Sequence, residues 1–142
     1  MPQNKLFSVV IQYSAPYIIA FALYVQVSGS DAPGGGFQAG AILAAAMVLC
    51  GFVYGEARTL KILNFKLLKR FAVLGFMLYA GTGIVWLLKG GKFLDYQNLE
   101  FGFVDINAQA FGIALAEWGV AFTVFSILCL IYFSFSKNHD AH

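Results

Sequence analysis

Charge is what this sequence most lacks. Only 11% of its 142 residues are Asp, Glu, Lys or Arg, against roughly 25% in an ordinary soluble domain. So few polar groups leave a folded domain of this size without a water-compatible surface. Cysteine is scarce as well. Cys50 and Cys129 stand in separate apolar runs, with no CxxC and no His/Cys cluster, so each reads as a buried thiol acting as a small hydrophobe. His139 and His142 fall in a polar tail and make no metal-ligand set. The net charge of +2 is too small to suggest a nucleic-acid partner. No nucleophile–base pair and no paired carboxylates occur, so neither a reaction of its own nor a cofactor is expected.

What is abundant is uninterrupted apolar sequence. Phe7 to Val27 carries no charge, Gly34 to Gly55 none over 22 residues, and Phe71 to Leu88 none over 18. Ile106 to Ser136 holds one, Glu117. A helix crosses a bilayer with about 20 such residues. The first run exceeds a signal-peptide core and carries Gln12, Pro16 and Gln26, so it reads as a retained span. The expectation is an all-α membrane protein with four transmembrane helices at about 7–27, 36–55, 71–88 and 110–135, a single domain over residues 1–142. Seven basic residues (Lys5, Arg58, Lys61, Lys66, Lys69, Arg70, Lys137) fall on the side of both termini, and two, Lys89 and Lys92, on the other. That bias predicts cytoplasmic termini.

The loops differ. Ser28 to Pro33 is very short, so the first two helices are predicted to be antiparallel neighbours. Glu56 to Arg70 is basic and suits a partly helical segment along the membrane surface. The third mixes Phe93, Tyr96, Phe101 and Phe103 with Asp95, Glu100 and Asp105, a pattern suited to an interface or a docking surface.

The stretch APGGGFQAG opens the second span. A phosphate-binding loop requires a Lys and a Ser/Thr after its last glycine; here Phe37 and Gln38 follow Gly36. The spacing of Gly36, Gly40 and Ala44 instead puts small residues on one helix face, and Gly51 and Gly55 repeat it. Such a face lets two backbones approach closely in lipid. Each mid-helix glycine costs about 0.8–1 kcal/mol relative to alanine, which close packing must offset. Pro33 suits a helix start, and Gly34 or Gly35 a tight turn. A helix joint and a pathway-lining vestibule both fit this loop.

Glu117 is the one acid within a span, a costly placement. It shares a face with Ile113, Ala114, Val120 and Ala121. One reading makes it a proton or cation station; the other places it at headgroup level or pairs it with Lys89, Lys92 or a residue of a neighbouring protein. Pro16 predicts a kink, with Gln12, Tyr13 and Ser14 near the freed carbonyl. Gln26 and Gln38 lie near the hairpin, either bonded across it or facing water.

At APYIIAFALYVQVSGSDAPGGGFQAGAILAAAMVL the sequence resembles the MnhB/MrpB family, small membrane components of the multi-subunit Mrp-type, or Mnh-type, cation/proton antiporters. GGKFLDY and GIALAEWGVAFTVFSILCLIYF extend the likeness over roughly Pro16 to Phe133. The resemblance implies a non-enzymatic component of a hetero-oligomeric complex in the bacterial cytoplasmic (inner) membrane, exchanging Na+ or another monovalent cation for H+. It further implies packing against large antiporter-like subunits, which is expected to use the Gly36/Gly40/Ala44 face. Pro33, Gly34, Gly35, Gly36, Phe37, Gln38 and Gly40 match the family's loop-and-helix motif, with Ala44 continuing its small face, and Glu117 matches an acid common in the family. A related component of a membrane-bound hydrogenase or other redox-driven pump is the alternative.

Overall fold

The computed structural model describes residues 5–30, 35–88 and 108–139. Five α-helices occur among them: α1 (Lys5–Val27), α2 (Gly36–Tyr54), α3 (Glu56–Ile62), α4 (Phe65–Leu88) and α5 (Ala108–His139). A single 3-10 turn, Ser28–Ser30, follows α1, and no strand occurs among the described residues. Four of the helices are long and apolar enough to cross a membrane, over Lys5–Val27, Gly36–Tyr54, Phe65–Val85 and Phe111–Ser136. The aromatic-and-acid loop, Lys89, Lys92 and the first-loop residues Pro33 and Gly34 lie outside the described residues.

The helices form a row rather than a closed bundle. α1 packs on α2, α2 on α5, and α5 on α4, so the last helix in sequence lies inside the row, between α2 and α4. α1 and α4 therefore hold the flanks. Their outward faces are apolar: Tyr13, Tyr17, Phe21 and Tyr24 are exposed on α1, and Val73, Phe76, Met77 and Ile84 on α4. Large exposed apolar surfaces of this kind require lipid or partner protein in place of water. Three hydroxyls along the spans turn back onto their own helices. The Thr82 hydroxyl donates to the Tyr79 carbonyl (2.8 Å), Thr123 to Gly119 (2.9 Å) and Ser14 to Ile11 (3.4 Å). Helix α1 runs through Pro16, and the Ser14 bond goes to Ile11 rather than to the freed Gln12 carbonyl.

The basic loop is partly helical. Gly55 ends α2 with φ 83°, a left-handed conformation suited to glycine. Among the described residues, none beyond its chain neighbours lies within 4 Å of where a Cβ on Gly55 would stand, so this glycine makes a turn and does not continue the packing face. α3 then runs to Ile62, and the Thr59 hydroxyl donates to the Gly55 carbonyl at 3.2 Å. Asn64 caps α4, its Oδ1 accepting from the Lys66 N–H at 3.1 Å. α4 thus starts at Phe65, six residues before the uncharged run, because Lys66, Lys69 and Arg70 all lie exposed on its first two turns. This is the basic end of the molecule; the α1–α2 connection marks the opposite, hairpin end.

A compact apolar cluster closes the basic end. Ala44, Leu63, Leu68, Cys129 and Phe133 are buried together, with Met47, Leu60, Phe65, Phe125, Leu130 and Tyr132 packed around them. Gly51 faces the Tyr132 and Phe133 rings at this level. Tyr132 meets Phe52 edge-on at 5.5 Å and Phe133 at 5.0 Å.

Candidate functional site

At the hairpin end the helices meet backbone to backbone. A Cβ on Gly36 would run into the Glu117 carbonyl, and one on Gly40 would stand 2.6 Å from the Ala121 carbonyl. The Gly36/Gly40/Ala44 face, expected to receive neighbouring subunits, is instead occupied by α5 of the same chain. That is a correction with a simple cause: α5 has its own small residues, including Ala121, at the matching level, so close approach satisfies both helices internally.

A second joint of this kind, between α4 and α5, carries no repeated spacing in the sequence. A Cβ on Gly75 would lie 2.5 Å from the Gly119 carbonyl, and one on Gly119 would lie 2.8 Å from the Gly75 carbonyl. Two single glycines on different helices find each other, and only Gly119 followed four residues later by Thr123 hints at it. Between these joints α5 is clamped from both sides over residues 117–123.

The clamp positions Glu117. Its carboxylate lies against the hairpin: a Cβ on Gly29 would stand 2.8 Å from Oε2, and one on Gly35 would stand 3.4 Å from Oε1. Gln38 Oε1 is 3.8 Å from the same point on Gly35. Gly35 has φ 144°, which L side chains rarely adopt, and its carbonyl accepts the first α2 bond from Ala39 N–H at 3.0 Å. No side chain caps α2 there. The carboxylate of Glu117 consequently sits at the N-terminal end of α2, where the helix dipole favours negative charge by about 0.3–1 kcal/mol. Glu117 forms no ion pair among the described residues. The site combines a half-buried acid, an uncapped helix start and a glycine-walled surface, an arrangement able to hold a charge and exchange a proton or cation.

Gln38 and Phe37 are exposed on the outside of this joint, whereas Gly35, Gly36, Gly40 and Ala44 are buried within it. Gln26 departs from both expectations made for it. It neither faces water nor bonds across the hairpin: it is 5% exposed, and neither its Oε1 nor its Nε2 has a hydrogen-bond partner among the described residues. A buried polar group left so costs about 1–3 kcal/mol. It lines a cavity of about 190 Å³ between the four long helices, walled by Leu23, Gly40, Leu43, Phe71, Trp118 and Phe122, among others. Phe122 packs on both Phe71 (5.8 Å) and Trp118 (5.6 Å) there.

These features define a multi-pass helical membrane protein with one acid set into a glycine-built joint. The chain belongs to the family of domains related to the MnhB subunit of Na+/H+ antiporters, whose profile matches residues 6–130. It is 28% identical over 126 residues to a Staphylococcus epidermidis protein provisionally named antiporter subunit mnhB2, with 87% of each chain covered. The Staphylococcus haemolyticus protein of the same name is 28% identical over 121 residues, 84% of each. An uncharacterized protein of Methanocaldococcus jannaschii is 32% identical over 90 residues, 63% of this chain. Only 32% of that archaeal protein's length is spanned. The antiporter names among these relatives do not favour the redox-driven alternative.

Proposed function

We propose that this chain is a non-enzymatic subunit of a multi-subunit Na+/H+ antiporter in the cell membrane, and that Glu117 handles the proton or cation at the hairpin end. Family membership supports the complex, and neighbouring membrane subunits and lipid are the partners it implies. The observation that carries the role of Glu117 is its placement. It is the one acid in the four spans, and its carboxylate rests on Gly29 and Gly35 with no cation paired to it among the described residues. An intramembrane acid without a partner is costly, and such acids mark proton or ion routes. The glycines of the APGGGFQAG motif then have two tasks: Gly36 and Gly40, continued by Ala44, bring α2 against α5, and Gly35 leaves room for the carboxylate. Pro33 and Gly34 belong to the same motif, and Phe37 and Gln38 are exposed beside it, with Gln38 Oε1 near Gly35. The basic cluster Arg58, Lys61, Lys66, Lys69 and Arg70 supports a cytoplasmic basic end and an external hairpin.

The test is Glu117→Gln in the intact complex, with cation-dependent proton movement followed in everted membrane vesicles. Transport falls to background while the complex assembles in normal yield. Normal transport in this variant overturns the assignment. A loss of assembled complex with Glu117→Gln, reversed by Glu117→Asp, would make the carboxylate a cap for α2 instead.

A further inference from the structure

The outward face of α1 carries polar groups at a depth where lipid offers them no partner. Pro16 is the middle residue of Lys5–Val27. In a span centred there, at about 1.5 Å per residue, Gln12, Tyr13 and Tyr17 lie within about 6 Å of the midplane of a hydrocarbon core about 30 Å thick. Their side chains are too short to reach the headgroups from that depth. All three are exposed, Tyr13 by 70% and Tyr17 by 77%. The buried residues of α1, Ile11, Ala15, Ala22 and Gln26, hold the opposite side of the helix. None of the three side chains makes a hydrogen bond among the described residues. The exposed Pro16 adds a further demand on this face, because it has no N–H to give the Gln12 carbonyl. We propose that this face of α1 docks a transmembrane helix of a neighbouring subunit, one that carries hydroxyl or carboxamide side chains at mid-membrane depth. The inference rests on the multi-subunit complex proposed above.

The polar groups state what the partner must offer. A hydroxyl or amide in hydrocarbon loses its bonds to water and gains none, a cost that protein on this face removes and lipid does not. Tyr hydroxyls donate and accept, the Gln12 carboxamide does both, and the Gln12 carbonyl only accepts. The partner helix therefore supplies a donor as well as acceptors, which Ser, Thr, Asn and Gln do and an ionised carboxylate does not. The surface also admits a helix. At 100° per residue, Pro16 and Ala20 lie between Gln12 and Tyr17 around α1, and both are exposed. These short side chains form a shallow floor between the longer polar ones, so a second backbone can come close. The other flank differs. α4 exposes Val73, Phe76, Met77 and Ile84; its Tyr79 is only 37% exposed, and its Thr82 hydroxyl already bonds to the Tyr79 carbonyl. Tyr24 of α1, nearer the hairpin end, is close enough to the headgroups to need no partner.

The experiment is photo-crosslinking of the intact complex in its native membrane, with p-benzoylphenylalanine in place of Tyr17 and the adduct mapped by mass spectrometry. The crosslink joins this chain to a membrane helix of another subunit, beside a Ser, Thr, Asn or Gln of that helix. A second measurement removes hydrogen bonds and keeps shape: Tyr13→Phe combined with Tyr17→Phe. Both rings stand largely outside the chain's own packing, so the chain still folds and reaches the membrane at its normal level. The fraction that copurifies with the other subunits in detergent falls about tenfold, the scale of two interhelical hydrogen bonds. Adducts with lipid alone, with a second copy of this chain, or with a helix apolar throughout at that depth overturn the proposal. So does copurification that the paired Tyr→Phe changes leave intact. If the other subunits copurify with the unmodified chain but Tyr17 reaches none of them, the α1 face fails and the complex stands. If no other subunit copurifies with the unmodified chain, both fall.

Discussion

The two ends of the molecule are held together in opposite ways. At the basic end, bulky side chains fill the space between α2, α4 and α5: Phe133 and Leu68 are fully buried, and Tyr132 packs on Phe52 and Phe133. At the hairpin end, backbone meets backbone at Gly36, Gly40, Gly75 and Gly119. The polar groups divide the same way. The side chains of Thr59 and Asn64 at the basic end are hydrogen-bonded, whereas Gln26 is not, and Glu117 has no ion-pair partner among the described residues; the buried Ser126 hydroxyl, between the two ends on α5, is unpartnered as well. A filled, satisfied end suits a fixed anchor. An end with narrow backbone joints, a cavity and an unpaired acid suits the passage of a small charged species. The difference teaches that in a chain almost uniformly apolar, side-chain size distinguishes the two ends as clearly as polarity does.

That contrast can be broken from either end, and the largest effect is expected at the hairpin. Gly36→Leu forces a side chain into the Glu117 carbonyl, where the obstacle is backbone and cannot rotate away. The α2–α5 joint opens, Glu117 loses its seat, and the assembled complex disappears from native gels. An intact complex at normal yield would show that the joint tolerates bulk and that the two ends are alike.

At the basic end the informative change is removal of bulk. Phe133→Ala deletes a ring with no solvent exposure that contacts Tyr132 and faces Gly51. The expected cost is about 3 kcal/mol if the space stays open, seen as a lower thermal unfolding midpoint in detergent. Transport per assembled complex stays normal, because Phe133 lies on the cluster remote from Glu117. Reduced transport per complex would mean that the anchor end also takes part in ion movement.

How much of this was legible in the sequence follows the same division. The four spans were, because the absence of charge over some twenty residues is a one-dimensional property. The order of the row was not. The spans are apolar on nearly every face, so polarity does not tell lipid from protein, and nothing local says that α5 lies between α2 and α4. The Gly36/Gly40/Ala44 face was readable from its spacing, but its partner was not, since Ala121 lies far along the chain. Gly75 and Gly119 each stand without a glycine at four-residue spacing on their own helix, so their pairing has no trace before the helices are placed. Glu117 was conspicuous as a lone acid; its seat on Gly29 and Gly35 depends on α5 reaching back to the first hairpin. Gln26 misled for a related reason. A glutamine near a helix end usually reaches water, but here α2, α4 and α5 wall it in.

The smallest effect concerns how the basic end is set. α4 starts where Asn64 accepts the Lys66 N–H, and the Leu67 and Leu68 N–H groups both bond to the Asn64 carbonyl, at 2.8 and 3.0 Å. Asn64 itself is exposed, so replacing it removes the cap without opening the core. Asn64→Ala costs about 1 kcal/mol and lowers the unfolding midpoint less than Phe133→Ala does. Asn64→Asp keeps an acceptor at the cap and adds a negative charge at the helix start, so stability is retained or slightly raised. Because the buried Leu68 follows one turn later, the cap fixes the level at which α4 enters the apolar cluster. If Asn64→Ala leaves the midpoint unchanged, packing of Leu68 alone sets that level, and the anchor needs no hydrogen bond to begin its helix.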